Sequence, residues 1–192
     1  MQPATFDETN ALAWAIWVLD NGLPALPARL SPGQAVPVAY WAGRTRGSVF
    51  LLMDCPHDEW CASAEHYVTD VRHYRRVESG WEQAAGSSGT DWDGGVTPWL
   101  DNPPDTSEIE EYASMGAGRE LDWQGYSVTG TAGNDVEWID VFQDGEHERR
   151  RHDSRSGVFV CALSNSTPAE IVLLDKNLSP LVASVILSEH FS

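Results

Sequence analysis

The amino-acid sequence predicts a mainly β fold with some α (α+β): an N-terminal helix followed by an antiparallel β-sandwich or open barrel. Three observations carry that prediction. A helical repeat of apolar residues opens the chain and stops at a glycine. Beyond residue 34, short runs rich in Val, Ile, Tyr, Phe and Trp follow one another closely, with Gly, Asn, Asp and Pro between them. One of those intervals is Asp144-Gly145, a two-residue hairpin signal. The length, 192 residues, suits a single domain covering 1–192.

Residues 5–21 are read as the helix. Thr5 and Glu8 form a capping box, Leu12, Ile16 and Leu19 recur at helical spacing, and Gly22 with Pro24 ends the element. Three prolines between Leu23 and Gln34 mark a connector. Ala35–Ala42 and Gly47–Asp54 are then strands joined by a turn at 43–46; the second is apolar on both faces, as a buried strand is. Residues 62–78 fit either period, and the preferred reading is a strand near Tyr67–Glu78, a turn at Ser79-Gly80 and a short strand from Trp81. Residues 85–107, rich in Gly, Pro, Ser and Asp, read as a long flexible internal loop or linker. Ser107 and Glu110 form a second capping box and predict a short helix that Gly116 ends. Six strands follow, at Tyr126–Thr131, Val136–Phe142, Glu146–His152, Val158–Leu163, Glu170–Leu174 and Leu181–Leu187. Val158–Leu163 and Ile171–Leu174 are apolar on both faces and are placed centrally in a sheet.

Charge narrows the function classes. Fifteen of the 29 acidic residues lie between Asp91 and Glu148, against a single arginine, Arg119, in a chain of formal net charge −17. Such a block repels nucleic acid and anionic membrane and attracts a cationic protein partner. Trp92 and Trp99 sit in the expected loop without core periodicity and are the candidate anchors for that partner, with Asp91, Asp93, Glu110 and Glu111 as acidic contacts. The first expectation is therefore a non-enzymatic, acidic protein-interaction module of the immunity, inhibitor or accessory-subunit type. No glycine-rich phosphate loop, serine elbow or zinc-protease motif occurs. No basic segment precedes the short apolar run at 11–19, and three cysteines suit no disulfide scaffold, so a cytoplasmic location is expected.

Two other classes stay open. Cys55, His57, Cys61 and His66 give C-x-H-x3-C-x4-H, a set of zinc donors that would make a metal-dependent hydrolase or a zinc-stabilised domain. The spacing lacks the paired C-x2-C knuckle, and a Cys55–Cys61 disulfide or two plain loop cysteines are the alternatives. Asp91 and Asp93 also offer a fragment of a calcium loop without its closing Glu. A structural subunit of a larger particle is the third class. Apart from zinc, no cofactor is expected.

The basic run Arg149-Arg150-Arg151 follows the acidic block directly. A two-residue turn at Asp144-Gly145 sets its register. Gln143 lies opposite Glu146, Phe142 opposite His147, Asp140 opposite Arg149 and Trp138 opposite Arg151. The alternate positions pair Val141 with Glu148, Ile139 with Arg150 and Glu137 with His152. Asp140–Arg149, Trp138–Arg151 and Glu137–His152 are matched pairs, so the run is expected to be structural, in a charged edge strand. Arg72, His73, Arg75 and Arg76 form a second basic cluster that is read in the same way.

Overall fold

The structure is a computed structural model. It describes residues 2–3, 5–7, 10–27, 33–54, 67–91, 107–117, 124–153, 157–164 and 167–186. Helix α1 spans Ala11–Asn21. It starts later than the capping box predicts, because Asp7 closes the turn ahead of it. The Asp7 carboxylate accepts the Asn10 N–H at 2.9 Å, and Thr5 contributes its carbonyl to the Trp14 indole N–H at 2.7 Å. Phe6 stacks on Trp14, so the segment before the helix is pinned by its side chains rather than wound into it. Gly22, at φ 82°, ends the helix and donates its N–H to the Val18 carbonyl.

Among the described residues eleven strands follow, in three antiparallel sheets. Strands β1 (Ala35–Ala42), β2 (Arg46–Asp54), β3 (Tyr67–Val77) and β4 (Gly80–Asp91) form the first sheet in chain order. The second, in the order β5-β6-β9, holds β5 (Glu108–Ala117), β6 (Gln124–Thr131) and β9 (Val158–Ser164). The third contains β7 (Trp138–Gln143), β8 (Glu146–Arg151), β10 (Ala169–Leu174) and β11 (Pro180–Ile186), in the order β11-β10-β7-β8. No helix among the described residues is long and apolar enough to cross a membrane.

Three apolar clusters stack the layers. Ala11, Ala15 and Leu19 of α1 cover Val49, Leu51, Tyr74 and Trp81 on one face of the first sheet. The opposite face presents Val36, Val38, Phe50, Leu52 and Val71 to Val158 and Val160 of β9. Phe159, Cys161 and Leu163, the alternate residues of β9, face Ile139, Val141, Ile171 and Leu173 of the third sheet. Successive side chains of a strand point to opposite faces, so β9 serves two cores at once. That explains its doubly apolar sequence and corrects its expected place. Among the described residues it lies at the end of its hydrogen-bonded ladder, and it is buried by layers above and below. Strand β10 does lie inside its sheet, between β11 and β7.

Two other expectations change. The helix predicted from Ser107 is strand β5: the capping-box residues occur, but Glu108–Glu110 and Ser114–Ala117 pair with β6 instead. Pairing with a long neighbour supplies backbone hydrogen bonds that an isolated short helix would lack. Strand β4 runs to Asp91, so the first part of the expected loop at 85–107 is ladder backbone paired with β3. Residues 92–106 lie outside the described residues.

The β7–β8 hairpin has the register that its turn predicts, from Gln143 opposite Glu146 to Trp138 opposite Arg151. Asp144 (φ 58°) and Gly145 (φ 76°) both take the left-handed conformation that a tight two-residue turn requires. Among the described residues β8 is an edge strand.

Candidate functional site

The arginine run does not converge on an anion pocket. Arg149 makes two bonds to the buried Asp140 carboxylate, Nε to Oδ1 at 2.6 Å and Nη2 to Oδ2 at 2.7 Å. Arg150 points the other way, donates from Nε to the Ala42 carbonyl at 2.9 Å and lies over the Trp41 ring. Arg151 pairs with Glu137 at 2.8 Å. Two of the expected matches are thus replaced. Trp138 does not receive Arg151, because Glu137, a carboxylate within reach, binds the guanidinium more strongly than an indole does. Glu137 meets His152 through its backbone carbonyl, which accepts the His152 N–H at 2.9 Å. The second basic cluster is also spent internally, as Arg72–Asp70, Arg75–Glu82 and Arg76–Asp20.

What the tip of the hairpin exposes is acid. Its tip, Asp144-Gly145-Glu146, is a ridge between two hollows. The inner hollow, about 250 Å³, is floored by Trp41, Val141 and Ala162 and walled by Asp144, Glu146 and Glu148. The outer one, about 440 Å³, lies open over Phe142, His147, Glu170 and Val185. Phe142 is 38% exposed and stacks on the His147 ring with centroids 4.4 Å apart. Glu148 is partly committed: its Oε1 accepts the Arg44 N–H at 3.1 Å, which clasps the β1–β2 turn to β8. A Cβ on Gly43 would lie 2.8 Å from Glu148 Oε2 and 2.9 Å from the Arg46 carbonyl, so only glycine lets the turn come this close. Asp144 accepts the Thr167 hydroxyl. Glu146 is exposed and carries no partner among the described residues.

Of the residues that the sequence singles out, Asp91 is the last of β4, and Glu110 and Glu111 lie in β5. Trp92, Trp99 and Asp93 lie outside the described residues, as do Cys55, His57, Cys61 and His66. Among the described residues, no group of three or more His, Cys, Asp or Glu is placed to hold a metal ion. Cys161 is buried in the core between the second and third sheets, and burial pushes its thiol far above the usual range.

One pair that sequence reading passed over resembles half of a nucleophile–base arrangement. Ser48 Oγ lies 3.1 Å from His73 Nδ1 across β2 and β3. Both residues are fully buried between the first two sheets. Asp70, three residues before His73, falls on the opposite face of β3 and binds Arg72 at 2.7 Å. Asp70 therefore does not orient His73, and the Ser48–His73 contact is a satisfied polar pair in the core.

His152 follows β8 and is 8% exposed, with its Nε2 buried and without a hydrogen-bond partner. It lines a small hollow of about 20 Å³ with Tyr40, Trp41 and Asp153, which has room for about one water. Burial lowers its pKa from 6.5 to about 4, against smaller opposing effects of Asp153 and Glu137.

No family model matches the chain, and no curated protein or solved structure matches it either.

Proposed function

We propose that the protein is a non-enzymatic binding module that docks a cationic protein surface in the cytoplasm, through the β7–β8 hairpin. The observation that carries this reading is the division of labour along one hairpin. Every arginine of β8 is consumed in a contact within the fold, while Asp144 and Glu146 stand on an exposed ridge with an aromatic-floored hollow on either side. A lysine or arginine side chain entering the outer hollow meets carboxylates at the rim and the exposed Phe142 ring at the base, the two groups that attract a cation. The uncompensated net charge of −17 adds long-range attraction for a basic surface and disfavours nucleic acid and anionic membrane.

The test is titration of a fluorescein-labelled octa-arginine peptide, read by anisotropy. The double variant Asp144→Asn, Glu146→Gln should weaken binding about tenfold at about 0.1 M salt, and binding should fade as salt screens the ridge. Glu78→Gln with Asp135→Asn removes the same charge from two exposed turns elsewhere. An equal loss from both double variants would mean that the peptide senses only net charge, and the hairpin assignment would fall.

A further inference from the structure

The two edges of the third sheet are built to opposite specifications. Strand β8 is charged at all six positions or carries an imidazole there, as Glu146-His147-Glu148-Arg149-Arg150-Arg151. Such an edge resists the addition of another strand. Strand β11, at the other end, bonds only to β10 among the described residues. Its sequence, Pro180-Leu181-Val182-Ala183-Ser184-Val185-Ile186, has no charge at all. Leu181 is 39% and Val185 56% exposed, and Ala183 between them is exposed too. An uncharged edge of this kind presents unpaired N–H and C=O groups to any strand that can reach them.

We propose that β11 pairs with β11 of a second copy of this chain, antiparallel about a two-fold axis through Ala183. The strand's own sequence selects that occupant. In a two-fold antiparallel pair, residue i faces j and j faces i. Centred on Ala183, Leu181 faces the partner's Val185, Val182 faces the partner's Ser184, and the small Ala183 faces itself at the axis. The exposed apolar side chains then cover one another, and no like charges meet in the ladder. Two four-stranded sheets become one of eight. Pro180 lies at the strand's start, where its missing N–H does not interrupt the central pairs.

Opposing the contact is the repulsion of two chains of charge −17. Salt relieves it, because the Debye length falls from about 10 Å at 0.1 M to about 3 Å at 1 M. The dimer therefore tightens with salt, by at least about threefold across that range. Docking of a cationic partner responds in the opposite sense, so failure of either proposal leaves the other standing.

Sedimentation equilibrium up to about 1 mM chain, a range that reaches weak association, tests the pairing directly. The wild type should show a monomer–dimer equilibrium that strengthens in salt. Ala183→Lys and Ala183→Glu each set like charges against themselves at the axis and should be monomeric alone. An equimolar mixture of the two should recover a heterodimer. The exposed position predicts unchanged melting for both variants, which separates loss of pairing from loss of fold. A wild type that stays monomeric in both salts, association that weakens with salt, or variants that dimerise alone or fail to complement each other would each overturn the proposal.

Discussion

Arg149 and Asp140 meet fork to fork across the β7–β8 hairpin, and His147 Nε2 lies 3.1 Å from the same carboxylate. The Asp140 side chain is 4% exposed. Burial alone would raise its pKa; the hydrogen bonds and charges of Arg149 and His147 outweigh that and hold it below the usual carboxylate range. Removing the guanidinium by Arg149→Ala strands a buried carboxylate, which costs about 1–3 kcal/mol. In a chain of this size each kcal/mol lowers the melting temperature by about 2–4 °C. Arg151→Ala breaks an exposed pair instead and should cost less, about 0–1 kcal/mol as is usual for such pairs, or at most about 4 °C in melting temperature. Equal losses from the two variants would show that Asp140 does not depend on Arg149.

His152 predicts a pH dependence of opposite chemical origin. Its folded pKa, about 4, lies below the 6.5 of the exposed imidazole. Between those values the unfolded chain binds a proton that the folded chain excludes, so stability falls as pH falls from 6.5 to about 4 and this contribution levels off below. The interval corresponds to about 3 kcal/mol. Asp140, with a depressed pKa, contributes stability above the unfolded carboxylate range that is lost only at lower pH, as it protonates. In denaturant titrations the wild type should lose stability relative to His152→Gln as pH drops through the upper window. Parallel curves there would show that His152 does not exclude the proton.

Most strands are legible in the sequence because their evidence is local. The Asp144-Gly145 turn dictates the register down to Trp138 and Arg151, and Ala35–Ala42 carries its β-branched and aromatic residues in one run. The misreadings at Ser107 and Thr5 share a cause. A capping box is a four-residue signal, and pairing with β6 or a side-chain turn at Asp7 outweighs it. The placing of β9 was hidden because double-sided burial looks alike in a central strand and in a strand between two layers. The ridge at Asp144 and Glu146 was legible as a turn but not as a site, since the hollows beside it are formed by Trp41, Ala162 and Val185 from distant segments. Charge density alone points to Asp91–Glu111 instead.

Strands β5 and β6 approach closely at Gly130, whose added Cβ would run into the Glu108 carbonyl oxygen and lie 2.6 Å from the Phe159 ring. Neither neighbour can yield easily. The carbonyl belongs to the β5 backbone paired with β6, and Phe159 is packed in the core between the second and third sheets. Gly130→Ala should therefore destabilise the fold by about 1–3 kcal/mol, the usual cost of overpacking. Chemical denaturation measures this, and a change below about 0.5 kcal/mol, typical of a surface position, would show that β5 does not press on β6 at this point.

The turn between β10 and β11 predicts the reverse effect. Asp175 organises it: the side-chain Oδ1 accepts the N–H groups of Asn177 and Ser179, both at 2.8 Å, and the backbone carbonyl accepts that of Leu178 at 3.0 Å. The Ser179 bond, with the Asn177 bonds, outweighs desolvation and lowers the Asp175 pKa, consistent with a carboxylate that works as an acceptor. Closing the turn forces Leu178 to φ 65°, a left-handed conformation in which a Cβ crowds the following carbonyl at a cost of about 1–2 kcal/mol. The side chain recovers little of this, being 46% exposed. Leu178→Gly removes the clash but enlarges the entropy of the unfolded chain by about 0.5–1 kcal/mol. The net gain is thus about 0–1.5 kcal/mol, centred on about 0.75, or up to about 6 °C in melting temperature. Leu178→Ala keeps the Cβ and should gain nothing. If alanine stabilises as much as glycine, the benefit comes from losing an exposed apolar side chain, and the strain at φ 65° is not what limits this turn.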